Sequence, residues 1–158
     1  MNNIEIERKF LVCGDFKQAA VSSTHIRQAY LNPAGAHTVR VRIRDDKAYL
    51  TIKGHSVDGG LSRYEWEIEI PVADAEQLMQ LRASAIVDKR RFLVPFEGHT
   101  FEVDEFYGDN EGLTMAEVEL SDPDEAFARP AWLGTEVTGD RRYYNSHLSR
   151  HPYKEWAG

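Results

Sequence analysis

Glu5, Glu7 and Lys9 occupy every second position of the run Ile4-Glu5-Ile6-Glu7-Arg8-Lys9-Phe10. Successive side chains of an extended backbone point to opposite faces, so these two carboxylates and one ammonium share a face. Ile4, Ile6 and Phe10 take the other face, with Arg8 as its one polar intruder. The pattern returns along the chain. Arg40, Arg42 and Arg44 alternate with Val39, Val41 and Ile43, and Tyr49, Thr51 and Lys53 with Leu50 and Ile52. Arg63, Glu65, Glu67 and Glu69 alternate with Tyr64, Trp66, Ile68 and Ile70. Lys89 shares a face with Arg91, Glu102 with Asp104, and Glu117 with Glu119, while parity turns Arg90 outward. Carboxylates bind hard divalent cations, and guanidinium forks and ammonium groups bind phosphate oxygens. Faces carrying both suit a ligand that is itself an anion and a metal chelate, such as a polyphosphate chain.

These faces need strands to hold them. Alternation predicts strands over Ile26 to Leu31, Thr38 to Arg44, Ala48 to Gly54, Arg63 to Ile70, Val87 to Val94, Phe101 to Asp104 and Met115 to Leu120, besides the first run. Asp45-Asp46, Asp58-Gly59-Gly60 and Glu97-Gly98 are turn sequences. Helical spacing of Leu78 and Leu81 predicts an amphipathic helix over Ala73 to Ala85. Asp122-Pro123 reads as a helix start, and a short helix is expected near Tyr143 to Arg150. The fold class is mainly β, in an α+β arrangement of about eight mostly antiparallel strands with few peripheral helices.

A single alternating strand normally turns its charged face to water. Here nearly every strand carries ionisable groups at alternate positions, and one convincing helix cannot cover a flat eight-stranded sheet. Closure into an eight-stranded antiparallel barrel resolves this: charged faces line the bore, and apolar faces are covered from outside by helices and subunit contacts. Buried charges need partners, metal ions or water. The bore so drawn holds both signs in quantity.

The chain has 158 residues, which fits one domain spanning 1–158. With 19 basic and 26 acidic residues its formal net charge is -7, which argues against a nucleic-acid coat protein. No apolar run approaches a membrane span, the start lacks the design of a secretory signal, and the lone Cys13 points to a reducing cytoplasm and a small buried side chain. His147 and His151 stand at helical spacing without an evident third metal ligand. Neither a Gly-x-Ser-x-Gly elbow nor a Gly-rich phosphate loop is present.

Glu5-Ile6-Glu7-Arg8-Lys9 resembles the ExExK signature of the CYTH superfamily, the triphosphate tunnel metalloenzymes. Arg40-Val41-Arg42, Thr51-Ile52-Lys53, the Glu65 to Glu69 run, Lys89-Arg90-Arg91-Phe92, Phe101 to Asp104 and Glu117-Val118-Glu119 are similar to that family's later motifs, in order. Glu136 to Asp140, with Arg142, Tyr143 and Asn145, resembles its C-terminal segment. The resemblance implies a hydrophilic eight-stranded tunnel acting on a small-molecule triphosphate with Mg²⁺ or Mn²⁺. Inorganic tripolyphosphate is the leading substrate. The alternatives are adenylate cyclase activity, thiamine or nucleoside triphosphatase activity, and non-catalytic polyphosphate binding. Carried over by motif, Glu5, Glu7, Glu117 and Glu119 are metal ligands, with Asp104, Glu65 and Glu67 as contributors. Lys9, Arg40, Arg42, Lys53, Lys89 and Arg91 bind the triphosphate, and Glu5, Glu7, Lys9, Lys89 and Glu119 form the catalytic set. No nucleic-acid or membrane partner is implied, and Tyr64 and Trp66 offer an outer face for a homodimer.

Overall fold

The computed structural model describes residues 4–33 and 37–156. Its strands, in chain order, are β1 (Ile4–Val12), β2 (Ser22–Tyr30), β3 (Thr38–Arg44), β4 (Lys47–Lys53), β5 (Ser62–Ile70), β6 (Val87–Phe96), β7 (His99–Phe106), β8 (Thr114–Glu119) and β9 (Leu133–Glu136). They are hydrogen-bonded in the order β5-β4-β3-β2-β6-β7-β8-β1-β9, and β5 also pairs with β1. That last pairing, Glu5 opposite Arg63, closes β1 to β8 into an antiparallel barrel. β9 is an added strand flanking β1 from outside the circuit.

The register keeps like parity in line across the wall. Glu7 faces Glu119, Lys9 faces Glu117, Lys53 faces Glu65, and Arg91 faces Asp104. Short turns set this register. Asp45, Glu97 and Gly98 adopt positive φ (52°, 49° and 85°), the left-handed conformation that two-residue hairpin loops require. Gly60 and Gly139 matter differently: a Cβ on Gly60 would meet Gly139 Cα, so only glycines allow the Asp58 turn to lie against the C-terminal segment.

The hydrophobic core therefore lies outside the barrel. Phe10, Val94, Phe101, Val103 and Val118 are fully buried beneath Phe16 and Trp132, with Phe127 packed against them. Burying each such side chain contributes roughly 1.5–3 kcal/mol. Helix α1 (Val72–Met79) sets Ala75 and Met79 on Ala29, Val41, Ile43 and Ala48. Helix α2 (Asn145–Leu148) and the 3-10 turn before it cover Val87, Phe106 and Met115 with Tyr143 and Leu148. The outer face of β5 carries no such cover: Tyr64, Trp66 and Ile68 are 49%, 39% and 47% exposed.

Several local expectations are corrected. α1 stops at Met79, not Ala85, because its last amides form tighter i→i−3 bonds and Ala83 N then donates to Tyr30 O on β2. No helix follows Asp122: its side chain accepts from Asp124 N and Glu125 accepts from Ser121 N, a capped turn from which Phe127 leaves to pack on Phe10 and Phe101. Cys13 is exposed, since β1 has ended and the chain is turning away beside Trp132. β9 was unforeseen, being four residues without alternation. The intruder Arg8 is satisfied from it: Nε and Nη2 donate to Glu136 at 2.8 and 2.6 Å.

Candidate active site

The charged faces of the strands enclose a cavity of about 230 Å³ inside the barrel. Glu5, Glu7, Glu65, Glu67, Glu117 and Glu119 line it, and so do Lys9, Arg40, Arg42, Lys53, Lys89 and Arg91. Of the residues expected at the site, only Asp104 sits behind the lining, 2% exposed. Arg44 reaches the rim, stacked on Tyr49, while Arg90 faces outward and donates to Ser23 Oγ.

The basic groups cluster on β3 and β6. Asp104 accepts two hydrogen bonds from Arg91, 2.8 and 2.9 Å, and one of 2.8 Å from Lys89 Nζ. These cations outweigh the effect of burial and hold the Asp104 carboxyl far below the usual carboxylate range. Lys89 is fully buried and also donates to Asn145 Oδ1 at 3.0 Å. Desolvation, reinforced by Arg91 and Arg42 against the pull of Asp104, brings its ammonium down to about 7. Arg42 is lowered to about 9 by burial and by the charges of Arg40 and Arg91, and it donates to Gln28 Oε1 at 3.1 Å. Arg40 Nη2 reaches Thr51 Oγ1 at 3.3 Å, but its buried Nε has no partner. These guanidiniums have more donor capacity than the protein satisfies, and an anion in the bore would use it.

The acidic groups cluster on β1, β5 and β8. Glu5 is bracketed by Lys53 Nζ at 2.9 Å and Arg63 Nε at 3.6 Å. Burial alone would raise its carboxyl, but the Lys53 charge and hydrogen bond bring it lower. Burial and the neighbouring Glu117 charge push the Glu7 carboxyl well above the ordinary range, whereas, despite burial, Lys9 holds Glu117 well below it. Glu7 thus favours its protonated form beside an ionised Glu117. Glu119 is raised by burial and then by Glu5, Glu102 and Glu65. Among the described residues no three His, Cys, Asp or Glu side chains converge as a finished metal site. The donor set still fits a hard divalent ion: the carboxylates crowd one another, and a cation between them would relieve the repulsion recorded at Glu7 and Glu119.

Several lining residues lie outside the expected site. Arg63 stands on the charged face of β5 with Glu65 but without an expected role there, and Tyr30 lines the bore from β2, whose inward face carries no charge to mark it. Tyr144, Asn145 and Ser146 line the bore from the C-terminal segment, where no periodic signal exists. Lys9 Nζ donates to Tyr143 O at 3.3 Å and lies over the Tyr144 ring.

Residues 3–149 match the CYTH domain. The chain is 47% identical over 153 residues to an inorganic triphosphatase of Acetivibrio thermocellus, covering 96% of this chain and 97% of that protein. It is 38% identical over 149 residues to an inorganic triphosphatase of Nitrosomonas europaea, covering 92% and 96% respectively. The crystal structure of the inorganic triphosphatase NE1496 superposes with a TM-score of 0.68 at 34% identity, covering 92% of this chain and 93% of that one.

Proposed function

Because the chain belongs to the CYTH domain family, we propose that it is a divalent-metal-dependent triphosphatase hydrolysing inorganic tripolyphosphate within its barrel. The observation that carries this reading is the confrontation, in one 230 Å³ bore, of crowded carboxylates with under-satisfied guanidiniums. The names of the two relatives support it.

On this reading Lys9, Arg40, Arg42, Lys53, Lys89 and Arg91 grip the phosphate oxygens. Glu5, Glu7, Glu117 and Glu119, aided by Glu65 and Glu67, would hold Mg²⁺ or Mn²⁺. Bound there, such an ion neutralises phosphate charge and lowers the pKa of a coordinated water. Phosphoryl transfer spreads charge over the transferred oxygens, and preorganised donors stabilise it without reorganising. Arg91 is preorganised in this sense by its two bonds to Asp104, and Arg40 Nε is a free donor. Of the two neighbouring carboxyls, Glu117, held ionised by Lys9, is the one proposed to accept the proton of an attacking water.

The whole chain is proposed to act as one domain in a reducing cytoplasm, with no nucleic-acid or membrane partner. The free Cys13 suits that compartment, and among the described residues no helix is long and apolar enough to cross a membrane. A second copy of the chain is the partner proposed for exposed Tyr64 and Trp66. The deciding assay offers tripolyphosphate and ATP separately with Mg²⁺ and Mn²⁺. Orthophosphate release from tripolyphosphate is expected to exceed that from ATP. Cyclic AMP formation, or tight binding without phosphate release, overturns the reading.

A further inference from the structure

The bore is electrically lopsided along its axis. At the end formed by the close of β5 and β8 and the opening of β7, Glu67 and Glu102 have side chains 41% and 44% exposed, 3.8 Å from Arg40 and 3.5 Å from Arg91, and Glu119 is exposed beside them with Arg44 at the same rim. Burial, and then the charges of Glu5, Glu102 and Glu65, raise the Glu119 carboxyl. At the opposite end, where β2 and β4 finish and β3 and β5 begin, lies a second cavity of about 710 Å³. Thr38, Arg63, Tyr144 and Ser146 line both spaces, so the two abut.

That vestibule is built from bases. His37, His55, His147 and His151 contribute imidazoles, and Arg141 and Arg150 join Arg63 in contributing guanidiniums. Among its described lining residues there is no carboxylate. Arg150 spends its donors on backbone carbonyls, Asn32 O at 2.7 Å and Ser146 O at 3.0 Å, so its position is fixed while its charge has no counter-ion among the described residues. Arg141 forms no ion pair among the described residues. The His147 and His151 rings lie 4.7 Å apart, and His147 Nδ1 is buried without a partner. Asp140, the carboxylate whose charge reaches His147, is bound by Arg142 through Nε and Nη2; burial and His151 lower the His147 imidazole, so the vestibule's fixed charge is that of its guanidiniums.

We infer that this cationic vestibule is the capture site and entrance for the triphosphate, in preference to the opposite mouth, where exposed carboxylates offset Arg44. The inference rests on the triphosphatase reading and adds the route of the anion. A chain of net charge -7 repels a polyanion at long range, so productive encounter needs a local field of the other sign. Clefts lined by one sign of charge focus that field and raise association rates by roughly 10- to 1,000-fold, an effect that salt removes. Arg63 marks the threshold: it belongs to the vestibule yet lies 3.6 Å from Glu5 and over the Tyr144 ring.

The test uses a Cys13→Ser background with a single new thiol at either end. His55→Cys places it in the vestibule, and Asp46→Cys at the exposed β3–β4 hairpin on the acidic side. Each is coupled to a bulky maleimide, and tripolyphosphate association is followed by stopped-flow alongside turnover. The labelled His55→Cys protein should lose about tenfold or more in kcat/KM and in association rate, with labelled Asp46→Cys near wild type. Arg141→Glu should lower kcat/KM severalfold at low salt and little at high salt. Equal effects of the two labels, the reverse order, or a salt-independent Arg141→Glu defect overturns the inference. If wild type binds tripolyphosphate without hydrolysing it, the triphosphatase reading fails, and the association rates still decide the route.

Discussion

Lys89 and Asp104 form a buried ion pair: Nζ lies 2.8 Å from Oδ2, and the side chains are 0% and 3% exposed. Arg91 grips the same carboxylate with two hydrogen bonds, so one anion neutralises and orients two cations of the phosphate-facing wall. Removing one partner of a buried pair strands the other, at about 3–5 kcal/mol. Asp104→Ala should therefore lose stability of that order in urea denaturation and lose turnover as well. Unchanged stability with a selective loss of metal affinity would instead make Asp104 a ligand.

Lys89 also sets a pH dependence. Its folded value of about 7 lies below the 10.5 of a free lysine, so between these values the unfolded chain binds more protons than the native one. Stability from this group accordingly rises with pH across that window, and below it the full penalty of a buried ammonium applies. An anion entering beside Lys89 favours the charged form. Tripolyphosphate binding near pH 8 should thus take up a proton, read by calorimetry as a heat that varies with buffer ionisation enthalpy. Lys89→Met should abolish that uptake.

Parity made most of this wall legible from sequence. Glu5, Glu7 and Lys9 could be assigned to the bore because the side-chain period of a strand is fixed at two, and too few helices were available to cover a flat sheet. What parity could not tell was pairing. Asp104 shares the parity of its neighbours, yet two cations claim it and withdraw it behind the lining, which depends on the register of β6 against β7. Tyr144 to Ser146 reach the bore from a segment whose path is fixed by tertiary contacts, Gly60 against Gly139 among them. The end of α1 was missed for a like reason, β2 competing for the backbone that the helix would have used.

The Glu7 and Glu117 pair predicts opposite responses of stability and activity. A carboxyl raised by burial and a facing carboxylate stabilises the fold only at pH values where the unfolded chain is also protonated, and that contribution is lost as pH rises toward its folded value. Glu7→Gln should thus raise Tm at neutral pH in the presence of EDTA while abolishing phosphate release. It should also erase the stabilisation that Mn²⁺ gives wild type, about 2.7 kcal/mol at a hundredfold excess over Kd and read as a rise in Tm. A lower Tm for Glu7→Gln would make Glu7 part of a net-stabilising network.

Arg8 supplies the contrast, one residue from Glu7 and Lys9 but on the other face. Its guanidinium forks onto Glu136 and lies 5.1 Å from the Phe127 ring centroid, tying β9 and the packed loop to β1. Side chains 26% and 30% exposed and a bidentate charge-assisted geometry suggest a stabilisation of about 1 kcal/mol. Arg8→Ala should lower Tm by a few degrees, about 2–4 °C per kcal/mol for a chain of this size, and leave kcat and KM for tripolyphosphate within twofold of wild type. Lys9→Ala, its neighbour in sequence, should do the reverse, losing turnover at nearly unchanged Tm. Measuring both variants side by side separates the two faces of one strand, and a loss of turnover in Arg8→Ala equal to that in Lys9→Ala would refute the assignment of faces.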